Sequence, residues 1–165
     1  MEGRLHFPRL VAETLNGHSL VLPDSLEKQF AVVALVFRRH AQASVDSWFS
    51  PVARAYDDCD RVTYYEIPLI AGGWRMMSGF IDSGMRAGIP AGRHDHVATY
   101  YGGTDRLRGQ LEIHDLETAH IYLIDQNGAV LWNASGWATA KRLNELHGRV
   151  AELIDRGDDD SIPSR

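Results

Sequence analysis

An unbroken apolar segment constrains this chain more than any other feature. Residues 30–37 read Phe-Ala-Val-Val-Ala-Leu-Val-Phe and contain no polar side chain. A strand with one face in water alternates apolar and polar residues, whereas a continuous apolar run is typical of a strand covered on both faces. Such a strand needs a layer of structure above it and another below it. The segment therefore predicts the centre of a mixed or parallel β-sheet between helices.

Strand-like and helix-like segments alternate along the rest of the chain. Asn-Gly dipeptides at 16–17 and 127–128 each separate two strand-like segments, which predicts two β-hairpins with type I′ turns. The other predicted elements are, in order, a helix capped by Ser44 and kinked or interrupted at Pro51, a strand at 61–70, a helix at 74–88, a strand at 96–100, a helical turn at 105–111 and a helix at 141–155. The order predicts an α/β three-layer sandwich with a mixed central sheet and an N-terminal β-hairpin.

The size and charge of the chain exclude some classes of function. Its 165 residues predict one domain, at 1–156, followed by a disordered acidic tail at 157–165. The formal net charge is −5 at pH 7 and the basic residues are scattered, so a nucleic-acid partner is not expected. No apolar run approaches the roughly 18 residues of a spanning helix, and direct insertion into a membrane is not expected either.

The most distinctive local pattern lies at residues 122–138. It reads Tyr-Leu-Ile-Asp-Gln-Asn-Gly-Ala-Val-Leu-Trp-Asn-Ala-Ser-Gly-Trp-Ala. Together with Phe7-Pro8, a hairpin that ends in Leu22-Pro23, and an apolar strand followed by Ser47-Trp48, it resembles the ATPase-assembly family of mitochondria. The likeness covers about residues 6–155 by element order. One departure is Leu131, which stands where the family signature has Arg.

The resemblance implies a thioredoxin-like fold and a role as an assembly factor for the F-type ATP synthase. It implies a protein partner, with a subunit of a membrane complex as the expectation. No cofactor is expected. The N-terminal residues lack a signal-peptide pattern and a transit-peptide composition. The expected location is therefore cytoplasmic, or the mitochondrial matrix for a processed form of the chain.

The resemblance also shows what this sequence lacks. In thioredoxin-like proteins, the turn from the central strand into the next helix carries a Cys-x-x-Cys redox site, whose positions correspond here to Gln42 and Val45. A cis-proline usually precedes the strand that faces this turn, and residues 117–120 contain no proline. The expected function is therefore that of a non-redox binding or assembly protein, with no catalytic residues.

An enzyme is the alternative. Cys59 could act as a peroxiredoxin-like nucleophile, although three neighbouring aspartates disfavour a thiolate. His94 and His96 could share a metal ion, because alternate residues of an extended chain point to one side. A third ligand could come from His114 or His120. This spacing alone is a weak signal, and no metal is expected.

Aromatic side chains near the cysteine-free turn are the candidates for partner binding. Trp48 and Phe49 lie on the helix after the turn, and Trp132, Ser135 and Trp137 lie around the second hairpin. Tryptophan is enriched among the residues that dominate interface energies. The alternative is that Trp48 and Trp132 belong to the core. Trp137, which follows a glycine and precedes a helix, is expected to be the most exposed.

Overall fold

The computed structural model describes residues 5–70 and 91–160. Within these ranges it contains seven β-strands, three α-helices and two 3-10 turns. The strands are β1 Leu10–Thr14, β2 Ser19–Leu22, β3 Phe30–Val36, β4 Val62–Ile70, β5 Ala98–Tyr101, β6 His120–Asp125 and β7 Val130–Ser135. The helices are α1 Gln42–Tyr56, α2 Asp105–Gln110 and α3 Ala140–Asp160, and the 3-10 turns are Arg39–Ala41 and Ala91–His96. The helix predicted at 74–88 lies outside the described residues.

The strands form one mixed sheet in the order β2-β1-β5-β4-β3-β6-β7. The apolar strand β3 lies inside the sheet, parallel to β4 and antiparallel to β6. Its side chains alternate between two hydrophobic cores, with Val33 and Leu35 in one and Val32 and Val36 in the other. Both faces of β3 are therefore covered, which confirms the prediction from the apolar run.

Helices cover the two faces unequally. On one face α1 and α3 pack on the sheet through buried residues such as Val45, Val52 and Leu146. On the other face Leu107 of α2 packs with Leu26 from the segment before β3. The result is the three-layer α/β sandwich with an N-terminal hairpin that the sequence predicts. No helix among residues 5–70 and 91–160 combines the length and the apolar character needed to cross a membrane.

Both hairpins form where the Asn-Gly dipeptides predict them, but their turn type differs from the prediction. Gly17 and Gly128 have φ of 82° and 86°, whereas neither Asn16 nor Asn127 has a positive φ. Each glycine N–H donates to the carbonyl three residues earlier, at 2.9 and 3.0 Å. This is the pattern of a three-residue loop in which a type I turn is followed by a left-handed glycine. The type I′ prediction was wrong because only the glycine adopts the left-handed conformation.

Two helix boundaries differ from the predictions, and α1 is not interrupted at Pro51. The 3-10 turn leads directly into α1, so that the N-cap is Ala41 and Ser44 lies inside the helix rather than capping it. The helix passes Pro51 and ends at Tyr56 without interruption. Helix α3 extends to Asp160, so residues 157–160 are helical where a disordered tail is predicted.

Candidate functional site

The sheet topology brings three connecting segments together at one edge. Because β3 and β4 are parallel and β6 is antiparallel to β3, the end of β3 lies beside the start of β6. Strand β7 is antiparallel to β6, so its end reaches the same edge. We call the resulting area the turn surface and define it by residues 38–42, 115–119 and 135–138. Ligands of open α/β sheets usually bind at the carboxyl ends of the strands, which is where the turn surface lies.

At the turn surface, a hydrogen-bonded glutamine and a core valine occupy the positions expected for a redox cysteine pair. The Gln42 side chain is half-buried and its Nε2 donates to Glu66 Oε1 at 2.5 Å and to Asp46 Oδ1 at 3.0 Å. Val45 is fully buried in the core beneath α1. Neither side chain can form or exchange a disulfide, and the hydrogen bond from Gln42 to Glu66 joins the start of α1 to β4.

Glu66 is a buried carboxyl group beneath this turn. It lies in β4, is only 4% exposed, and accepts the hydrogen bond from Gln42. Desolvation by burial raises the pKa of Glu66, and the charge of Asp46 raises it further; the Gln42 hydrogen bond and the charge of Arg93 act in the opposite direction. The folded protein therefore holds a proton on Glu66 at a higher pH than an exposed glutamate would.

Ser44 connects α1 to the segment that precedes β6. Its Oγ donates to the Ala41 carbonyl at 2.9 Å and accepts a hydrogen bond from the Ala119 backbone N–H at 3.1 Å. Both Ser44 and Ala119 are buried. The segment at 117–120, which contains no proline, is therefore held against α1 by a serine hydroxyl.

Two further contacts hold the segment after β7 in place. Trp48 Nε1 donates to the Gly136 carbonyl at 2.8 Å, and the Ser47 hydroxyl oxygen accepts the Ala138 N–H at 2.9 Å. The Gly136 N–H in turn donates to the Ala119 carbonyl at 2.9 Å. Sequence reasoning missed these roles, although the Ser47-Trp48 pair and the Ser-Gly-x-Ala pattern at 135–138 were available signals. The three segments of the turn surface are thus fastened to α1 and to one another.

The structure separates the five candidate partner-binding residues into two groups. Trp48 is 1% exposed and Phe49 is also buried, so these two side chains cannot contact a partner directly. Trp132 is half-buried and its ring packs edge-on against that of Trp48, with centroids 5.9 Å apart. Ser135 is exposed, and Trp137 is 58% exposed. Of these five residues, Ser135 and Trp137 are therefore the exposed ones, and the core alternative describes Trp48 correctly.

Charged side chains surround the start of α1. Arg38, Arg39 and His40 are all exposed. Glu117 contacts the ring of His40 through its carboxylate and lies 3.8 Å from Arg38 Nε. Across the surface, Arg142 Nη1 donates to the Ser135 carbonyl at 2.5 Å and to the Trp137 carbonyl at 3.1 Å. Arginine side chains thus flank the exposed tryptophan loop and the cysteine-free turn.

Cys59, the thiol of the enzyme alternative, lies away from this surface. It follows the C-terminal end of α1, whereas Gln42 begins that helix. Its backbone carbonyl accepts a 2.7 Å hydrogen bond from Lys28 Nζ, and its side chain is half-buried. The helix start that would stabilise a thiolate is therefore at the other end of α1 from the only cysteine of the chain.

The histidines of the metal alternative do not have the predicted geometry. His94 and His96 lie in the 3-10 turn, not on an extended chain, so alternate residues do not point to one side. His96 donates from Nδ1 to the Tyr64 carbonyl at 2.8 Å and stacks on the Tyr64 ring. His120 is buried and contacts the Asp115 carbonyl, and His114 is exposed. Within the described residues, no three potential ligands are grouped so that they could hold a metal ion.

Comparisons with known proteins give a family from a sequence model and a fold from solved structures. A family model described as ATP10 protein matches residues 2–153. Among curated proteins there is no match. The chain is similar in structure to BsSco, a member of the Sco family of cytochrome c oxidase assembly proteins, with a TM-score of 0.62 and 11% identity over 90% of this chain and 93% of that one.

Two further solved structures share the fold. A thiol-disulfide oxidoreductase from Bacteroides fragilis has a TM-score of 0.54 and 14% identity, covering 90% of this chain and 98% of its own. The exposed lipoprotein thioredoxin of Streptococcus pneumoniae has a TM-score of 0.57 and 10% identity, covering 84% of this chain and 97% of its own. These similarities show that the fold is thioredoxin-like.

Proposed function

Because the chain belongs to the ATP10 protein family, a family of ATP synthase assembly, we propose that it is a non-redox assembly factor that docks a protein subunit on the turn surface. The family and the thioredoxin-like fold support an assembly role. The subunit is proposed to be part of a membrane complex, the ATP synthase itself. Docking would then take place in the compartment where that complex is assembled, in the mitochondrial matrix for a mitochondrial protein.

The presentation of Trp137 is the observation that carries the proposal. This side chain is exposed, yet its loop is fixed by the contacts of Gly136 with Trp48 and Ala119, and of Ala138 with Ser47. A loop that is already ordered loses little conformational entropy on binding. Tryptophan offers a large apolar area with few rotatable bonds, which suits it to an interface anchor.

The chemistry of the turn supports binding without turnover. Gln42 and Val45 occupy the positions of a redox pair, and Cys59 lies beyond the opposite end of α1. The buried carboxyl of Glu66 accepts a hydrogen bond from the Gln42 side-chain amide, which is not a nucleophile. Thioredoxin-like proteins meet their protein substrates at this same turn, so a chain that lacks the thiols can retain the docking surface while losing the reaction.

The proposal is tested by capture from native cells. The tagged full chain and its Trp137→Ala variant are purified in parallel, and bound proteins are identified by mass spectrometry. We expect ATP synthase subunits to be enriched with the wild-type protein and depleted with Trp137→Ala. The proposal is wrong if these subunits are absent from both samples, or if they are captured equally by the two proteins.

A further inference from the structure

Helix α3 contacts the loop that carries Trp137 through an arginine of its first turn. We call residues 135–138 the tryptophan loop. Arg142 Nη1 donates to the Ser135 carbonyl and, at 3.1 Å, to the Trp137 carbonyl. A terminal guanidinium nitrogen carries two N–H groups, so it can serve both carbonyls at once. One side chain of α3 therefore holds the carbonyls on both sides of Gly136.

The two helices that meet the tryptophan loop hold different parts of it. The contacts from α1 go to the Gly136 carbonyl and to the Ala138 N–H. The contact from α3 goes to the carbonyl of Trp137 itself. Among residues 5–70 and 91–160, Arg142 is the only side chain that donates a hydrogen bond to the Trp137 backbone. The backbone beside the exposed indole is therefore fixed by α3.

Gly136 leaves room for the guanidinium of Arg142. Its φ is 93°, in the left-handed region that favours glycine. A Cβ at this position would lie 3.1 Å from Arg142 Nη1 and 3.8 Å from Thr118 Oγ1. Any other residue would therefore strain the backbone and press on the arginine. The shape of the tryptophan loop and the position of Arg142 thus depend on each other.

The start of α3 is an unfavourable place for a cation. The first turn of a helix is the positive end of the helix dipole, where acidic side chains are favoured and basic ones are not. Helix α3 has no acidic residue in its first turn and has Lys141 and Arg142 there. The Lys141 side chain is exposed and has no hydrogen bond or ion pair with another described residue. Arg142 is half-buried and bonded to the two loop carbonyls, which explains an arginine at a position that the helix alone does not favour.

We propose that Arg142 is the positioning residue of the docking site: it orders the tryptophan loop from α3, and this order sets the affinity for the partner subunit without a contact between Arg142 and that subunit. The inference rests on the proposed docking function and adds how α3 controls it. When the binding conformation is only partly populated, the apparent affinity falls in proportion to its population. Without Arg142, the Trp137 carbonyl has no donor in the described part of the chain, and binding must order the loop.

The first test needs no partner. Backbone 15N relaxation is measured at Trp137 in the full-length wild type, Arg142→Met and Lys141→Met. Both substitutions remove one cation from the same helix turn and introduce an unbranched side chain that helices tolerate well, so Lys141→Met is the matched control. We expect the order parameter of the Trp137 amide to fall in Arg142→Met and to stay at the wild-type value in Lys141→Met.

The second test measures binding of the ATP synthase subunit that the wild-type chain captures. Arg142→Met should bind this subunit about threefold to tenfold more weakly, and Lys141→Met should bind it like the wild type. Arg142→Lys keeps the charge but lacks the planar guanidinium, so its affinity should lie between those of the wild type and Arg142→Met. In the Trp137→Ala background, Arg142→Met should have no further effect, because a positioning residue acts through the side chain that it positions.

The outcomes separate this inference from the docking function. An unchanged order parameter in Arg142→Met, or equal effects of Arg142→Met and Lys141→Met, would overturn the role of Arg142. Additive losses in the double variant would overturn it as well, since Arg142 would then contact the subunit directly. If Trp137→Ala reduces capture but Arg142→Met leaves the affinity unchanged, positioning by Arg142 is wrong and the docking function stands. If Trp137→Ala does not reduce capture, the docking function fails, and the control of affinity by Arg142 fails with it.

Discussion

The indole Nε1 of Trp48 donates a 2.8 Å hydrogen bond to the backbone carbonyl of Gly136, which joins the first half of α1 to the loop after β7. Trp48 is buried, and the loop that it holds presents the exposed Trp137. Two tryptophans of the sequence pattern therefore have different tasks: one fixes the loop from inside, and the other is available to a partner.

Removing the Ser44 hydroxyl should destabilise the fold. In Ser44→Ala the buried Ala119 N–H loses its acceptor, and an unsatisfied buried donor costs about 1–3 kcal/mol. Ser50→Ala, at an exposed position of the same helix, should change the free energy of unfolding by less than about 0.5 kcal/mol. Urea unfolding of both variants measures the difference. Equal stability of the two would show that the contact between Ser44 and Ala119 contributes nothing.

The two hairpin glycines provide a matched pair for backbone strain and steric contact. A Cβ at Gly17 would meet no atom within 4 Å, so Gly17→Ala should cost only the strain of a positive φ, about 1–2 kcal/mol. A Cβ at Gly128 would lie 2.8 Å from His6 Cε1 and 3.0 Å from the Phe7 carbonyl oxygen. Gly128→Ala should therefore lower the melting temperature more than Gly17→Ala does. The reverse order would contradict the packing of the N-terminal segment on the second hairpin.

Glu66 should make stability depend on pH. Burial raises the pKa of Glu66 in the folded protein. The contribution of Glu66 to the free energy of unfolding is therefore fully present below the ordinary glutamate pKa of 4.5, and it is lost as pH rises through the raised pKa. Glu66→Gln removes this loss while keeping an acceptor for Gln42. We expect the variant to be more stable than the wild type at neutral pH, with a gain that shrinks as pH falls toward 4.5.

Urea unfolding across a pH series measures the Glu66 effect. Glu145→Gln, at an exposed glutamate of α3, is the control and should give a curve parallel to that of the wild type. A Glu66→Gln variant that is less stable than the wild type at every pH would show that the ionised carboxylate stabilises the fold, contrary to this account.

Redox turnover should be absent. With Gln42 and Val45 at the turn, the purified protein should neither reduce a model disulfide nor consume hydrogen peroxide catalytically. Cys59→Ser should leave partner capture unchanged, because Cys59 lies at the other end of α1 from the turn surface. Catalytic turnover that disappears in Cys59→Ser would favour the peroxiredoxin-like alternative.

The central strand and the layer order could be predicted from the sequence because a strand that is buried on both faces consists of consecutive apolar residues. Every residue of the run at 30–37 is apolar, and a helix would need a longer segment. The role of the glycines in both hairpins could also be predicted, since Gly17 and Gly128 supply the left-handed conformation. The turn type could not be predicted, because asparagine adopts either sign of φ and the loop length is set by strand pairing.

The contacts that fix the turn surface could not be predicted in the same way. A serine near a helix start reads as a cap, and Ser44 instead bonds to Ala119, 75 residues away. Composition likewise cannot distinguish the buried Trp48 from the exposed Trp137, since both are tryptophans near glycine-rich or polar segments. Long-range partners of polar and aromatic groups depend on the assembled fold, whereas strand periodicity is local.

The most direct test of the account is the affinity of the captured ATP synthase subunit for three proteins: the wild type, Trp137→Ala and Val11→Ala. Val11 is a matched control, because it is 46% exposed and lies on β1, away from the turn surface. Loss of an interface anchor costs about 2 kcal/mol or more, so Trp137→Ala should bind roughly thirtyfold more weakly, with an unchanged melting temperature. Val11→Ala should bind like the wild type. Unchanged affinity in Trp137→Ala, or an equal loss in Val11→Ala, would contradict docking on the turn surface.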